Sequence, residues 1–350
     1  MSGATLGMTG LYNTNSKYQL EAIQLSIPYI EQAIDVLDLD SSSSLPLIIA
    51  DFGTSHGLNS INIMKIIINY LQKRKKILRE PLVIHNDLPT NDWKSVINLL
   101  LQDNSYHGVI NARSFYEQCL PNNSLSIAYS STSIHWLSKK PCNVSNHCYV
   151  QFSNNPHELE AFQKQSYIDY NHFLENRSCE LHFGGVLIIA IAINDTDGSI
   201  TSRNHMNELY TCAQSLPLTP EELLDFTIPF YLPSYEECIN EELFAKYSFQ
   251  LINSALVTFE TPLLKQWQQG QITLEELARL NTLYIRAWSE SILKQAFINN
   301  GRSSEHIDDL LDKFYHLVEQ RARKTPHAAI DGRLSYVYVI LKKIGTPLHK

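Results

Sequence analysis

The chain predicts an α/β fold, a doubly wound and mostly parallel sheet with a helical insertion, and three observations carry that prediction. The first is the run LIIADFGTSHGLN at residues 47–59, where four apolar residues stop at Asp51 and a turn bearing Gly53 and Gly57 follows. A strand covered on both faces reads as such a continuous run, and an open sheet places its ligand crevice where strands end in turns that feed helices. The second is the alternation of strand-like and helix-like segments as far as Ile193, the pattern of parallel βαβ units. The third is the change after Asn194, where helical periodicity dominates until a β-rich stretch at 336–341.

Residues 1–15 read as irregular. Helical spacing begins near Ser16 and turns Tyr18, Ala22, Ile23, Ile27 and Ile30 toward a core. Residues 41–44 form a loop ahead of the central strand, and a helix over 59–75 follows it, with its apolar pattern starting at Ile61. Strand 82–85 comes next and ends at Asn86-Asp87. Asn91 reads as the N-cap of a helix that runs to Leu101. Val109-Ile110 and 125–129 are further strands, and a long helix at 156–176 leads through Gly184-Gly185 to the strongest strand, 186–193. Beyond Asn194, residues 203–215, 219–225, 234–246, 273–299 and 305–322 read as helices and 249–259 as a strand. Residues 16–200, 248–260 and 330–350 are therefore assigned to the α/β core, and 201–247 and 261–329 to a mainly helical cap.

Composition narrows the function classes. A hydrophobic fraction of 44% with 18% charged residues belongs to a folded chain. A formal net charge of -8 argues against nucleic acid as a partner, because phosphate backbones select basic faces. The one basic run, 73–79, falls at a helix C-terminus, where cations complement the dipole. The opening residues do not read as a secretory signal, and no apolar run is long enough to span a bilayer. Six cysteines without a framework point to reduced thiols and a cytoplasmic setting. Cys142, His147 and Cys148 lack the paired spacing of a zinc site, and no metal is expected.

Chemistry concentrates at the strand ends. Asp51 and Asp87 close two strands 36 positions apart, the arrangement expected where an adenosyl ligand lies across the sheet and the second acid accepts both ribose hydroxyls. The glycine turn lacks the Lys-Ser/Thr ending of a P-loop and the third glycine of a dinucleotide fingerprint, which disfavours a nicotinamide dehydrogenase.

At these residues the chain resembles the SABATH carboxyl methyltransferases, the salicylate, benzoate, jasmonate and theobromine type. The stretches are Tyr12-x-x-Asn15-Ser16-x-x-Gln19, IADFGTSHGLN, HNDLPTNDW from His85, SFY from Ser114 and YSSTSIHWLS from Tyr129. FLENR from Phe173, the pair at Gly184, and IPFYLPSYEE from Ile228 are similar too, all in the family's order. The resemblance implies a Rossmann-like class I methyltransferase core, S-adenosylmethionine as cofactor and a homodimer. It places Tyr12 and Ser16 at the methionine end, with Thr54 and Asn59 in the glycine turn, Asp87 and Leu88 at the ribose, and Ser114 and Phe115 at the adenine, and counts Asp51, Gly53 and Ser131 among the cofactor-binding residues. It also makes Gln19 and Trp136 donors to an acceptor carboxylate, with Thr132, His135 and Tyr231 lining the same pocket and Tyr336 near it. Gln and indole N–H are neutral donors, so they fix a carboxylate and leave an oxygen lone pair free to attack. No residue is assigned as a general base.

Departures from the family pattern are informative. Thr132 stands where the family commonly has Tyr, Thr54-Ser55-His56 replaces a Cys-Ser-Ser turn, and Thr9 replaces a basic residue. Leu224, Phe226 and Thr227 occupy the positions of a metal pattern found in some members, so no metal is carried over. The resulting expectation is methyl-ester formation on a small carboxylic acid. The rivals are N-methylation of a xanthine-like heterocycle and a binding module without turnover.

Overall fold

The computed structural model describes residues 7–39, 46–77, 80–103, 105–194 and 202–345. The loop expected at 41–44 lies outside them. Seven strands form one sheet: β1 Ile48–Phe52, β2 Leu82–Asp87, β3 His107–Ala112, β4 Leu125–Ser131, β5 Leu181–Ile193, β6 Phe249–Glu260 and β7 Arg333–Lys343. Their order is β3-β2-β1-β4-β5-β7-β6. The pairs β3–β2, β2–β1, β1–β4 and β4–β5 are parallel, while β7 runs antiparallel to both β5 and β6.

Fourteen helices are described: α1 Tyr12–Asn15, α2 Lys17–Leu25, α3 Ile27–Val36, α4 Leu58–Lys73, α5 Trp93–Gln102, α6 Pro156–Glu180, α7 Arg203–Gln214, α8 Pro220–Asp225, α9 Tyr235–Cys238, α10 Glu241–Lys246, α11 Pro262–Gln268, α12 Leu274–Asn299, α13 Ser304–Lys324 and α14 Pro326–Ala329. One face of the sheet buries Ile49, Val83, Ile127 and Ile188 against α3 and α4; the other buries Phe52, Ala128 and Leu187 against Phe173 and Leu174 of α6. Strands covered on both faces explain the uninterrupted apolar runs. A third cluster joins α7, α12 and α13 through Leu209, Leu277, Phe297, Leu311 and Phe314.

Several boundaries differ from the sequence expectation, each for a local reason. Residues 12–15 form a helical turn where irregular chain is expected. The helix read from Ser16 is two helices, because Ser26 bonds back to the Ile23 carbonyl at 2.6 Å and Pro28 opens α3. The cap of α5 is Asp92, which accepts from the Ser95 N–H at 3.2 Å; Asn91 instead donates to the Ser55 carbonyl at 2.6 Å. Strand β5 begins at Leu181, five residues earlier than read, and passes through Gly184 at φ 77. There a Cβ would press into Asp38, so only glycine lets the strand continue.

Candidate functional site

The site grows from the C-terminal ends of β1, β2 and β4, the usual ligand position in an open parallel sheet. After β1 the chain turns sharply: Gly53 N–H and Thr54 N–H both donate to the Asn86 carbonyl, at 2.9 and 3.0 Å. Gly53 has φ 105 and Ser55 φ 51, and a Cβ on Gly53 would collide with Ser133. Gly53→Ala is therefore expected to cost more than about 1 kcal/mol, the scale for alanine forced to positive φ, before the collision is added. A lowered thermal midpoint on the purified variant checks it.

The turn is tied to β2 through Asp87. Its Oδ2 accepts from Ser55 N–H at 2.6 Å and its Oδ1 from Leu88 N–H at 2.7 Å. Each oxygen keeps a further lone pair. Burial pushes the Asp87 carboxyl up to about 6, against the pull of the two N–H groups. Asp51, buried below it, is pushed up to about 7 by burial and by the Asp87 charge, with Ser60 and Thr54 pulling the other way.

A cavity of about 380 Å³ opens above these strand ends. Tyr12, Gly53, Asp87, Leu88, Ser114, Phe115, Thr132 and Trp136 line it, so the sequence motifs converge in space. Among the described residues that line it there is no lysine or arginine. Phe115 sits in an aromatic corner, 4.6 Å from the Tyr116 ring and 6.0 Å from the Phe173 ring. The Tyr116 hydroxyl lies between the carbonyls of Ile134 and Trp136, at 2.8 and 2.7 Å, and braces the segment after β4. Thr132 turns that segment with φ 55, a strained value of the kind that collects at binding sites.

Trp136 pairs with Phe230 in an antiparallel bridge, and its ring meets those of Phe230, His135 and Trp288 at 5.3, 5.9 and 6.4 Å. Burial pushes the His135 imidazole down to about 4, so it is neutral at pH 7. Ser55 Oγ and Asn91 Oδ1, on lining residues, are buried and unbonded, as are Gln19 Oε1, His135 Nδ1 and Ser131 Oγ on expected site residues that do not themselves line the cavity. Unsatisfied buried polar groups are rare in a fold for its own sake and suit a polar ligand.

Other expected site residues lie apart from the cavity wall. Ser16 and Asn59 bond to each other at 3.0 Å, and the Thr54 hydroxyl bonds to the Asp51 carbonyl at 3.3 Å. Tyr231 donates its backbone N–H to the His135 carbonyl at 3.0 Å, while its hydroxyl donates to Glu237 at 3.2 Å and its ring packs with Leu137, Val144, Val150 and Phe162. The cavity also takes in Met8, Ser55, Asn91, Ser133, Ser138 and His172, which sequence reasoning did not assign. Asn91 and Ser138 lie inside recognised motifs and were discoverable; His172, on the face of α6, carries no sequence signal. Among the described residues no group of three or more His, Cys, Asp or Glu could hold a metal.

The residues fit an adenosyl group: two backbone-fixed carboxylate oxygens with free lone pairs, a turn with no Cβ at its closest point, and an aromatic corner beyond them. Comparisons with known proteins point the same way. A family model described as SAM dependent carboxyl methyltransferase matches residues 8–343. The salicylate carboxymethyltransferase of Clarkia breweri is 32% identical over 68% of this chain and 71% of its own. A 3,7-dimethylxanthine N-methyltransferase of Camellia sinensis var. assamica is 26% identical over 95% of this chain and 94% of its own. Among solved structures, a loganic acid methyltransferase with SAH superposes with a TM-score of 0.80 at 24% identity, covering 99% of this chain and 100% of that one, so the two share a fold.

Proposed function

The chain belongs to the S-adenosylmethionine-dependent carboxyl methyltransferase family, and from that premise we propose that it forms the methyl ester of a small, largely apolar carboxylic acid. The observation that carries this reading is the cavity itself: Trp136 and Thr132 line it together with Asp87 and Phe115, the neutral His135 ring adjoins Trp136, and no lysine or arginine stands among the described lining residues.

S-adenosylmethionine, when bound, supplies a sulfonium methyl for direct displacement by an acceptor oxygen. A carboxylic acid with a pKa near about 4 is already ionised at pH 7, so the protein has no proton to remove. Asp87 would accept the ribose hydroxyls and Phe115 would pack on the adenine. Tyr12, Ser16, Asn59 and Thr54 would close around the methionine end. The Trp136 indole and the Gln19 amide would hold one carboxylate oxygen and leave the other aligned for attack. Segments 201–247 and 261–329 act as a cap that keeps water out, so catalysis rests on alignment in a dry site.

Asp51 and Asp87 give this reading a pH signature. Both carboxyls have folded values above the ordinary aspartate range, so their ionisation in the free protein lowers stability as pH rises through about 6 and 7. Ribose hydroxyls donate to an ionised carboxylate, so affinity for S-adenosylhomocysteine should rise across the same interval, and Asp87→Asn should flatten that rise. Calorimetry from pH 5 to 8 checks it.

The test of the reaction is methyl transfer from labelled S-adenosylmethionine to a panel of aromatic, dicarboxylic and medium-chain acids, with xanthines run alongside. Label in a base-labile ester supports the reading; label in the xanthines alone overturns it in favour of N-methylation, and label in nothing favours a binding module. The same reading includes a homodimer in a reducing, cytoplasmic setting, consistent with six unpaired cysteines. Light scattering on the purified chain tests the dimer.

A further inference from the structure

His56 departs from the family's Cys-Ser-Ser turn and has no part in the site described above, yet it is 1% exposed directly beside that site. Its Nε2 lies 3.1 Å from the Met8 carbonyl. A carbonyl only accepts, so Nε2 carries the proton; burial lowers the basicity of the ring and keeps it neutral. The Nδ1 lone pair is buried without a partner. The Tyr12 ring meets the imidazole edge-on at 5.8 Å. Asn13 closes the same junction: its Nδ2 donates to the His56 carbonyl at 2.9 Å, and its Oδ1 accepts from Leu58 N–H at 3.2 Å.

The segment so held, residues 7–15, supplies Gly7, Met8 and Tyr12 to the cavity wall. None of residues 7–14 is fully buried, and Met8 packs only partly buried against the hydrophobic cluster of α7, α12 and α13. It is also attached through Thr9 N–H, which donates to the Ala287 carbonyl of α12 at 3.0 Å, next to Trp288 in the ring cluster around Trp136. A stretch with few buried contacts opens at low free energy unless specific polar bonds hold it. Here those bonds run to the glycine turn on one side and to a cap helix on the other.

We propose that His56 is a positioning residue, a latch that holds residues 7–15 closed as a strap over the cofactor cavity and thereby sets how long the cofactor is retained. The residue touches the strap and not the cofactor. Its effect passes through Met8 and Tyr12.

The experiment compares wild type, His56→Ser, His56→Gln and Asn13→Ala as full chains. S-adenosylhomocysteine binding is measured by calorimetry and amide hydrogen exchange is followed over residues 7–15. His56→Ser should weaken binding about tenfold, the scale of one net hydrogen bond, and should abolish the slowing of exchange in the strap while core amides stay protected. His56→Gln, whose amide can still donate to the Met8 carbonyl, should recover most of both. Asn13→Ala, at a partly exposed position, should shift both in the same direction and carries the test if His56→Ser does not fold. Unchanged affinity in a folded His56→Ser or in Asn13→Ala overturns the proposal, as does a His56→Gln no better than His56→Ser or a fall in thermal midpoint alone. No acid is present in these measurements, so their outcome is independent of the carboxylate reading.

Discussion

Asp87→Ala weakens binding of S-adenosylhomocysteine by about 2–4 kcal/mol, the scale for losing a charge-assisted, two-pronged contact in a closed site. The expectation rests on geometry. Each carboxylate oxygen is already fixed by one backbone N–H, from Ser55 and from Leu88, so the group is oriented before any ligand arrives. Removing it frees both N–H groups and loosens the turn that carries Gly53. The variant therefore loses preorganisation together with the ribose contacts. Asp87→Asn should do less harm, because an amide oxygen still accepts from one side. Calorimetry on the three proteins decides the matter, and an affinity in Asp87→Ala equal to wild type excludes the ribose role.

Much of this site is legible in the chain because its geometry is local. A buried strand, an acidic end and a glycine turn occupy thirteen consecutive positions at 47–59, and the fold assembles them with Asp87 through one strand pairing, β1 against β2. The Rossmann-like class I methyltransferase core, expected from motif order, is the fold shared with the loganic acid methyltransferase structure. What the chain conceals depends on tertiary partners. Nothing local says that β7 inserts antiparallel between β5 and β6, since strand order is set by packing and not by spacing. Tyr231 follows His135 and Trp136 in the motif logic, but its hydroxyl is drawn to Glu237, six residues on, and the ring follows. Asn91 and Asp92 are equally good cap residues by type. The choice falls to Asp92 because Asn91 is recruited by the Ser55 carbonyl across the site. His56 is legible as a departure, yet its partner Met8 is 48 positions away and only the fold pairs them.

Trp136→Phe separates the carboxylate reading from its rivals. The substitution keeps part of the ring volume and removes the indole N–H, so the hydrogen bond is lost along with some packing. If that N–H holds a carboxylate oxygen, kcat/KM for the acid falls by about 1.5–3 kcal/mol, as for a hydrogen bond to a charged group. Affinity for S-adenosylhomocysteine stays nearly unchanged, because the Asp87 and Phe115 contacts are supported by other residues. Gln19→Ala behaves alike, and the double variant falls short of the sum if both side chains grip one group. The competing outcome has a structural basis too. Trp136 touches the rings of Phe230 and Trp288, both buried in the hydrophobic cluster of α7, α12 and α13, so a purely packing tryptophan would lower the melting temperature and disturb both ligands together. Melting temperature, cofactor affinity and acid turnover are measured on one preparation. A large stability loss with unaltered acid selectivity removes the carboxylate assignment, whereas a fall in acid turnover with intact stability and cofactor binding, matched by Gln19→Ala, supports it.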